Sequence, residues 1–147
     1  MKLKIGITEY DINYENELKC DEVTINEDLK NQPSLFAFYA VFAEIAESEV
    51  AILKLETEKT EAILDDEYRG KLEKSTENML KNAVRRDERY LSLMYQLNTA
   101  KKNAGILNAI KEAFHHRKEI LIALASNMRA QMDPDIYIKK QEIKATL

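Results

Sequence analysis

Four cations fall close together in the middle of the chain. Lys81, Arg85 and Arg89 recur at every fourth residue, so on a continuous helix they stack along one face, with Arg86 beside them. Lys101-Lys102 follow further along, and His115-His116-Arg117-Lys118 form another basic cluster. Tyr90 and Tyr95 lie among them. Cations interleaved with rings suit single-stranded nucleic acid, because ammonium and guanidinium groups neutralise phosphates while rings stack on bases. The same cations could instead form a solvated helix face that pairs with carboxylates of the chain, and Asp87 and Glu88 inside the cluster favour that second reading.

Other chemistries lack their residues. Adjacent His115 and His116 point about 100° apart on a helix, and His115 with Glu119 supplies only two of the ligands a zinc site needs. Asp65-Asp66-Glu67 reads as a polar helix end. Cys20 has no neighbouring His to serve as its base, and the three glycines, Gly6, Gly70 and Gly105, are too scattered for a phosphate loop. The chain is expected to be no enzyme, with no cofactor and no metal.

The cations gain meaning from the charge around them. Residues 1–69 hold 7 Lys/Arg against 17 Asp/Glu, whereas residues 70–132 hold 12 against 6. The whole-chain net charge of −4 conceals that segregation. A basic helical half implies a polyanionic partner, and an acidic half implies a protein surface of opposite sign. The longest apolar run, Leu35 to Ala43, is too short for a membrane span, and the start lacks the apolar core of a signal peptide. One cysteine allows no intrachain disulfide, which fits a reducing compartment. The expectation is a soluble intracellular protein without membrane contact.

The elements that must position these residues are mostly helices. Few Gly and Pro with abundant charge predict a mainly α fold: long helices in an oligomeric bundle or coiled-coil assembly, after a short β-prone N-terminal segment. Residues 1–32 form the arm, in which Leu3, Ile5 and Ile7 alternate with polar residues, as do Tyr10, Ile12 and Tyr14; Val23-Thr24-Ile25 is a third β-prone stretch. Asn26 to Leu29 predicts a single helical turn, and Pro33 predicts the start of a long helix that breaks near Gly70. Acids crowd the end of that helix, against its macrodipole, so they should meet cations unless the helix stops early. A second helix is expected from about Ser75 to Met132, ended by Pro134, with Gly105 as the place for a bend or close contact. Residues 33–132 are thus the expected helical domain for oligomerisation and nucleic-acid binding. Residues 133–147 make a tail with a possible strand at Ile136-Tyr137-Ile138.

Along that second helix, alternating steps of four and three run Met79, Ala83, Arg86, Tyr90, Leu93, Leu97, Ala100, Ala104, Leu107, Lys111, Phe114, Lys118, Leu121, Ala125, Met128. The period is that of a coiled coil. Tyr90, Leu93, Leu97, Leu107, Phe114, Leu121 and Met128 are therefore the expected oligomer seam, since two helical arms offer little core by themselves.

Several stretches resemble phage recombination mediators of the UvsY type: Glu73-Lys74-Ser75, Met79-Leu80-Lys81, Asp87, Leu91, Tyr95-Gln96 and Asn127-Met128-Arg129-Ala130. Gln32 to Ala40 and Glu67-Tyr68-Arg69-Gly70 are similar to family segments too, so the likeness covers roughly residues 21–132. The resemblance implies a homo-oligomeric ring that binds single-stranded DNA and helps a RecA-type recombinase replace single-strand binding protein, in the cytoplasm of a phage-infected bacterium. Family members can carry cations near the end of the first long helix, where this chain has Ile63-Leu64-Asp65-Asp66. The DNA contact is therefore assigned to Lys81, Arg85, Arg86 and Arg89, with Lys101, Lys102, Arg117 and Lys118 behind them. The alternative is a coiled-coil scaffold or adaptor that binds no nucleic acid.

Overall fold

The computed structural model describes residues 1–71, 74 and 76–145, with side chains through Met132. The elements in order are β1 (Lys2–Ile5), β2 (Thr8–Asp11), α1 (Tyr14–Glu17), α2 (Ile25–Lys71), α3 (Glu77–Arg86) and α4 (Glu88–Ala145). The fold is mainly α, as expected. The chain divides into two compact units, and both long helices pass through each: residues 1–12 with 40–108, and residues 13–39 with 109–147.

In the first unit the alternating N-terminus forms an antiparallel hairpin, with Leu3 opposite Tyr10 and Ile5 opposite Thr8. Gly6 takes the positive φ of 58° that the two-residue turn demands. The period of two points Leu3 and Ile5 inward, where both are buried. Tyr10 meets Phe42 of α2 edge to face at 4.5 Å, and the Asn103 side chain of α4 donates to the Lys4 carbonyl. Ala43, Ala46, Leu53 and Leu64 of α2, Leu80 and Val84 of α3, and Leu97, Ala104 and Leu107 of α4 complete this core. Thr57, buried on α2, returns its hydroxyl to the Leu53 carbonyl at 2.7 Å.

In the second unit Tyr39 stacks on Phe114 at 4.7 Å, beside buried Ile25, Ile110 and Leu121. Tyr39 donates to Glu17 at 2.7 Å. Burial, and then the Glu17 carboxylate, push its hydroxyl above the ordinary tyrosine range.

Several boundaries differ from expectation. Helix α2 starts at Ile25, absorbing both the predicted turn at Asn26 and the β-prone Val23-Thr24-Ile25 edge, and carries Pro33 inside it. An interior proline costs about 3 kcal/mol. The turns before it are anchored by buried Ile25 and by the Asp28 and Gln32 side chains, so tertiary contacts override the local signal. Helix α4 likewise continues past Pro134, and residues 136–138 are helical rather than a strand. Proline deletes one ladder bond without ending a helix. Gly105 marks no close contact: nothing lies within 4 Å of where its Cβ would be. Glu73 and Ser75 lie outside the described residues.

Candidate nucleic-acid interface

The first basic cluster sits where α2, α3 and α4 meet in the first unit. Thr76 caps α3, accepting from the Met79 amide at 3.4 Å. Burial of Leu80 and Val84 turns Lys81 and Arg85 onto one exposed flank and Arg86 onto the other. The helix then stops. Asp87 has an extended backbone (φ −67°, ψ 133°), and α4 begins at Glu88. Arg89 therefore does not continue the Lys81–Arg85 ridge, a correction to the continuous stack expected from spacing. The signal was present: Asp followed by Glu is a helix-start pattern.

Asp87 gathers this junction. Its carboxylate accepts from the Arg89 amide at 2.9 Å, from the Arg89 side chain at 3.1 Å and from the Tyr68 hydroxyl at 3.1 Å. Arg89 also grips Glu67 with two bonds, 3.2 and 2.9 Å. The Arg89 bonds pull the Asp87 carboxyl down to about 2 and hold Glu67 below the usual carboxylate range. Tyr68 is raised, first by its bond to Asp87. Nearby, Arg69 binds Glu77 through two 2.9 Å bonds and Asp65 through one of 2.7 Å. The acids at the end of α2 thus meet cations, as the macrodipole argument required.

This pairing sorts the predicted DNA contacts. Arg89 is spent on Glu67 and Asp87. Lys81 lines a depression with Glu58, Glu61 and Asp65, where carboxylates would repel a phosphate. Arg85 and Arg86 are exposed, and among the described residues neither pairs with a carboxylate. Lys101, Lys102 and Lys118 are exposed on α4.

Arg117 is placed quite differently. It is 3% exposed, and its guanidinium donates to Asp28 at 2.7 Å, to the Gln32 side chain at 2.7 Å and to the Lys19 carbonyl at 3.0 Å. Gln32 in turn donates to the Phe114 carbonyl. Burial works to raise the Asp28 carboxyl, but hydrogen bonds from Thr24 and Arg117 and the guanidinium charge outweigh it and hold the group low. Its Nε is buried without a partner, but both terminal nitrogens are engaged inside the protein, so the guanidinium cannot reach a phosphate and its assignment as a DNA contact is corrected.

The histidines do not converge on a ligand. His115 tilts against Phe36 at 6.2 Å, and His116 lies 3.9 Å from Glu119. Among the described residues no group of three or more His, Cys, Asp or Glu could hold a metal ion. No helix of the described residues is long and apolar enough to cross a membrane.

Comparison with family models and with curated proteins finds no match. Comparison with solved structures does. The crystal structure of the bacteriophage T4 recombination mediator protein UvsY superposes with a TM-score of 0.70, over 81% of this chain and 92% of that one. The fold is the UvsY fold. The two sequences share 13% identity, so the likeness is one of architecture.

Within this UvsY-like fold the expected oligomer seam needs correcting. Leu97, Leu107, Phe114 and Leu121 are buried inside the single chain, while Tyr90, Leu93 and Met128 are half-buried. The seam of α4 is thus largely used up as intrachain core. Between the buried Leu107, Phe114 and Leu121, the residues that go inside are Ile110 and Arg117 rather than the predicted Lys111 and Lys118.

The unpartnered apolar surface lies on α2 instead. Val41, Ile45, Ile52, Leu55 and Ile63 are 46–66% exposed on the side opposite buried Ala43, Ala46, Leu53 and Leu64. Their steps of three, four, seven and eight hold one narrow stripe. Full burial of each such side chain is worth about 1.5–3 kcal/mol, so this row, interrupted by Ser48 and Lys59, is a candidate interaction surface. The sequence carried this signal only in part: Val41 and Ile45 fall in an apolar stretch of α2, whereas Leu55 and Ile63 fall among its charges.

Proposed function

We propose that the protein is a recombination mediator: a non-enzymatic, homo-oligomeric helical protein that binds single-stranded DNA and helps a RecA-type recombinase replace single-strand binding protein. It would act in the cytoplasm of a phage-infected bacterium. The observation that carries the reading is the fold shared with the T4 mediator over 92% of that chain. Support comes from Arg85 and Arg86, exposed cations in the last turn of α3.

The test is fluorescence anisotropy with a labelled single-stranded oligonucleotide across a salt series. A mediator gives binding that weakens steeply with salt. Absence of binding at low salt sinks the reading.

A second reading, a scaffold that pairs only with proteins, is favoured by one observation. The acids of α2 already neutralise part of the basic cluster, through Arg89 with Glu67 and Lys81 beside Glu58, Glu61 and Asp65. The same titration separates the two.

A further inference from the structure

We infer that copies of this chain join through two unlike surfaces, the acid-rimmed apolar stripe of α2 on one copy seating against the base-rimmed outer face of α4 on the next. The inference rests on the self-assembling mediator reading and adds which surfaces meet.

The stripe, Val41, Ile45, Ile52, Leu55 and Ile63, is flanked by exposed Glu44 and Glu56, with Lys59 in its row near the far end. Laid against its own copy it would set carboxylates beside carboxylates, which opposes a symmetric pairing at neutral pH. The complementary surface occurs in the same unit. On α4, Leu91 (40% exposed) and Tyr95 (72%) lie around the helix from buried Leu97 and Ala104, with Tyr95 at the rim of the hollow that Gly6, Glu49 and Asn103 also line. Asn98 and Lys102 continue that outer row, and Lys101 adjoins it. The steps of four, three and four from Leu91 to Lys102 match those expected when one helix receives another. Aliphatic stripe then meets Leu91 and the Tyr95 ring, while glutamates meet lysines.

Because the two surfaces differ, each copy keeps one of each kind unused after pairing, so the contact extends into a closed ring or an open filament. Lys101 and Lys102 would then contact protein carboxylates, leaving Arg85 and Arg86 as the main cations for a polyanion.

The experiment is complementation between two full-length variants. Ile45→Glu with Ile52→Glu disables the stripe; Leu91→Glu with Tyr95→Glu disables the α4 face. Sedimentation velocity should show each variant alone as a monomer, with self-association weakened at least about tenfold. An equimolar mixture should give a dimer of one copy of each, because each retains the surface its partner lacks. A mixture that stays monomeric overturns the pairing. So does a stripe variant that is monomeric while the α4 variant still assembles, since that marks stripe-on-stripe contact.

If circular dichroism shows that a double variant has lost helicity, charge reversal tests the same contact. Glu44→Lys with Glu56→Lys, and Lys101→Glu with Lys102→Glu, should each weaken assembly, and all four together should restore it. Failure to restore overturns the pairing. Wild-type protein that binds single-stranded DNA but stays monomeric also overturns it, while leaving the DNA-binding reading intact. Assembly and complementation without DNA binding do the reverse.

Discussion

Arg117 lies 2.7 Å from Asp28 across 89 positions of sequence, and this ion pair, its guanidinium buried and its carboxylate half-buried, ties α4 to the first turn of α2 in the second unit. A buried pair does not guarantee stability, because both charges were taken out of water. Removing one partner is another matter. Arg117→Ala would leave Asp28 charged and Gln32 short of a donor. We expect a loss of up to about 3 kcal/mol in urea denaturation, the low end for a buried pair because Asp28 keeps some water and its bond from Thr24. An exposed phosphate contact would instead lower DNA affinity with stability unchanged, so the two measurements on one variant distinguish the roles.

Arg85 and Arg86 make the opposite prediction. Substituting both with Ala should leave the denaturation midpoint nearly unchanged. The slope of log affinity against log salt should flatten by up to about 1.4, since each phosphate contact on a single strand contributes about 0.7. Arg89→Ala should leave that slope alone, its charge being committed to Glu67 and Asp87. An unchanged slope in the Arg85/Arg86 variant would remove α3 from the DNA path.

Acid should loosen the α2–α3–α4 junction over a defined range. The Asp87 carboxyl titrates near 2 rather than at the ordinary 3.8. A depressed pKa stabilises the folded form above the unfolded value and loses that contribution as pH falls. Asp28 is depressed too. Stability should therefore fall from about pH 4 down to about pH 2. Asp87→Asn should show a shallower decline over that range in acid titrations followed by circular dichroism.

Pro33→Ala should stabilise the protein. It restores the amide donor for the Leu29 carbonyl inside α2, at a site where the ring is exposed. A gain of up to about 3 kcal/mol is expected, reduced by the greater freedom of the unfolded chain without proline. Urea denaturation of the variant measures it.

Much of this architecture was readable from residue order. The hairpin followed from alternation at Leu3 and Ile5, and the end of α2 from Gly70. The acids near Glu67 announced cations to come. What escaped was whatever depended on distant partners. Hydropathy scores Arg117 and Lys118 alike, yet only Arg117 is met by Asp28 and Gln32, so only Arg117 goes inside. The stripe on α2 escaped for the converse reason: Ile45 and Ile52 look like core residues, and nothing local tells that the core takes Ala46 and Leu53 instead. At Arg86-Asp87, four cations within nine residues drew attention away from a helix cap that divides them.

The hairpin of residues 1–12 has a temporal consequence. It packs on Phe42 and hangs from Asn103 by the Lys4 carbonyl, so it depends on a residue made 99 positions later. At ribosomal rates of 5–20 residues per second, those strands wait roughly 5–20 s for the stretch that receives them. A two-stranded hairpin is marginal in water by itself. During that interval Leu3 and Ile5 have no core to enter, and the nascent chain is most open to chaperones, proteases or neighbouring copies.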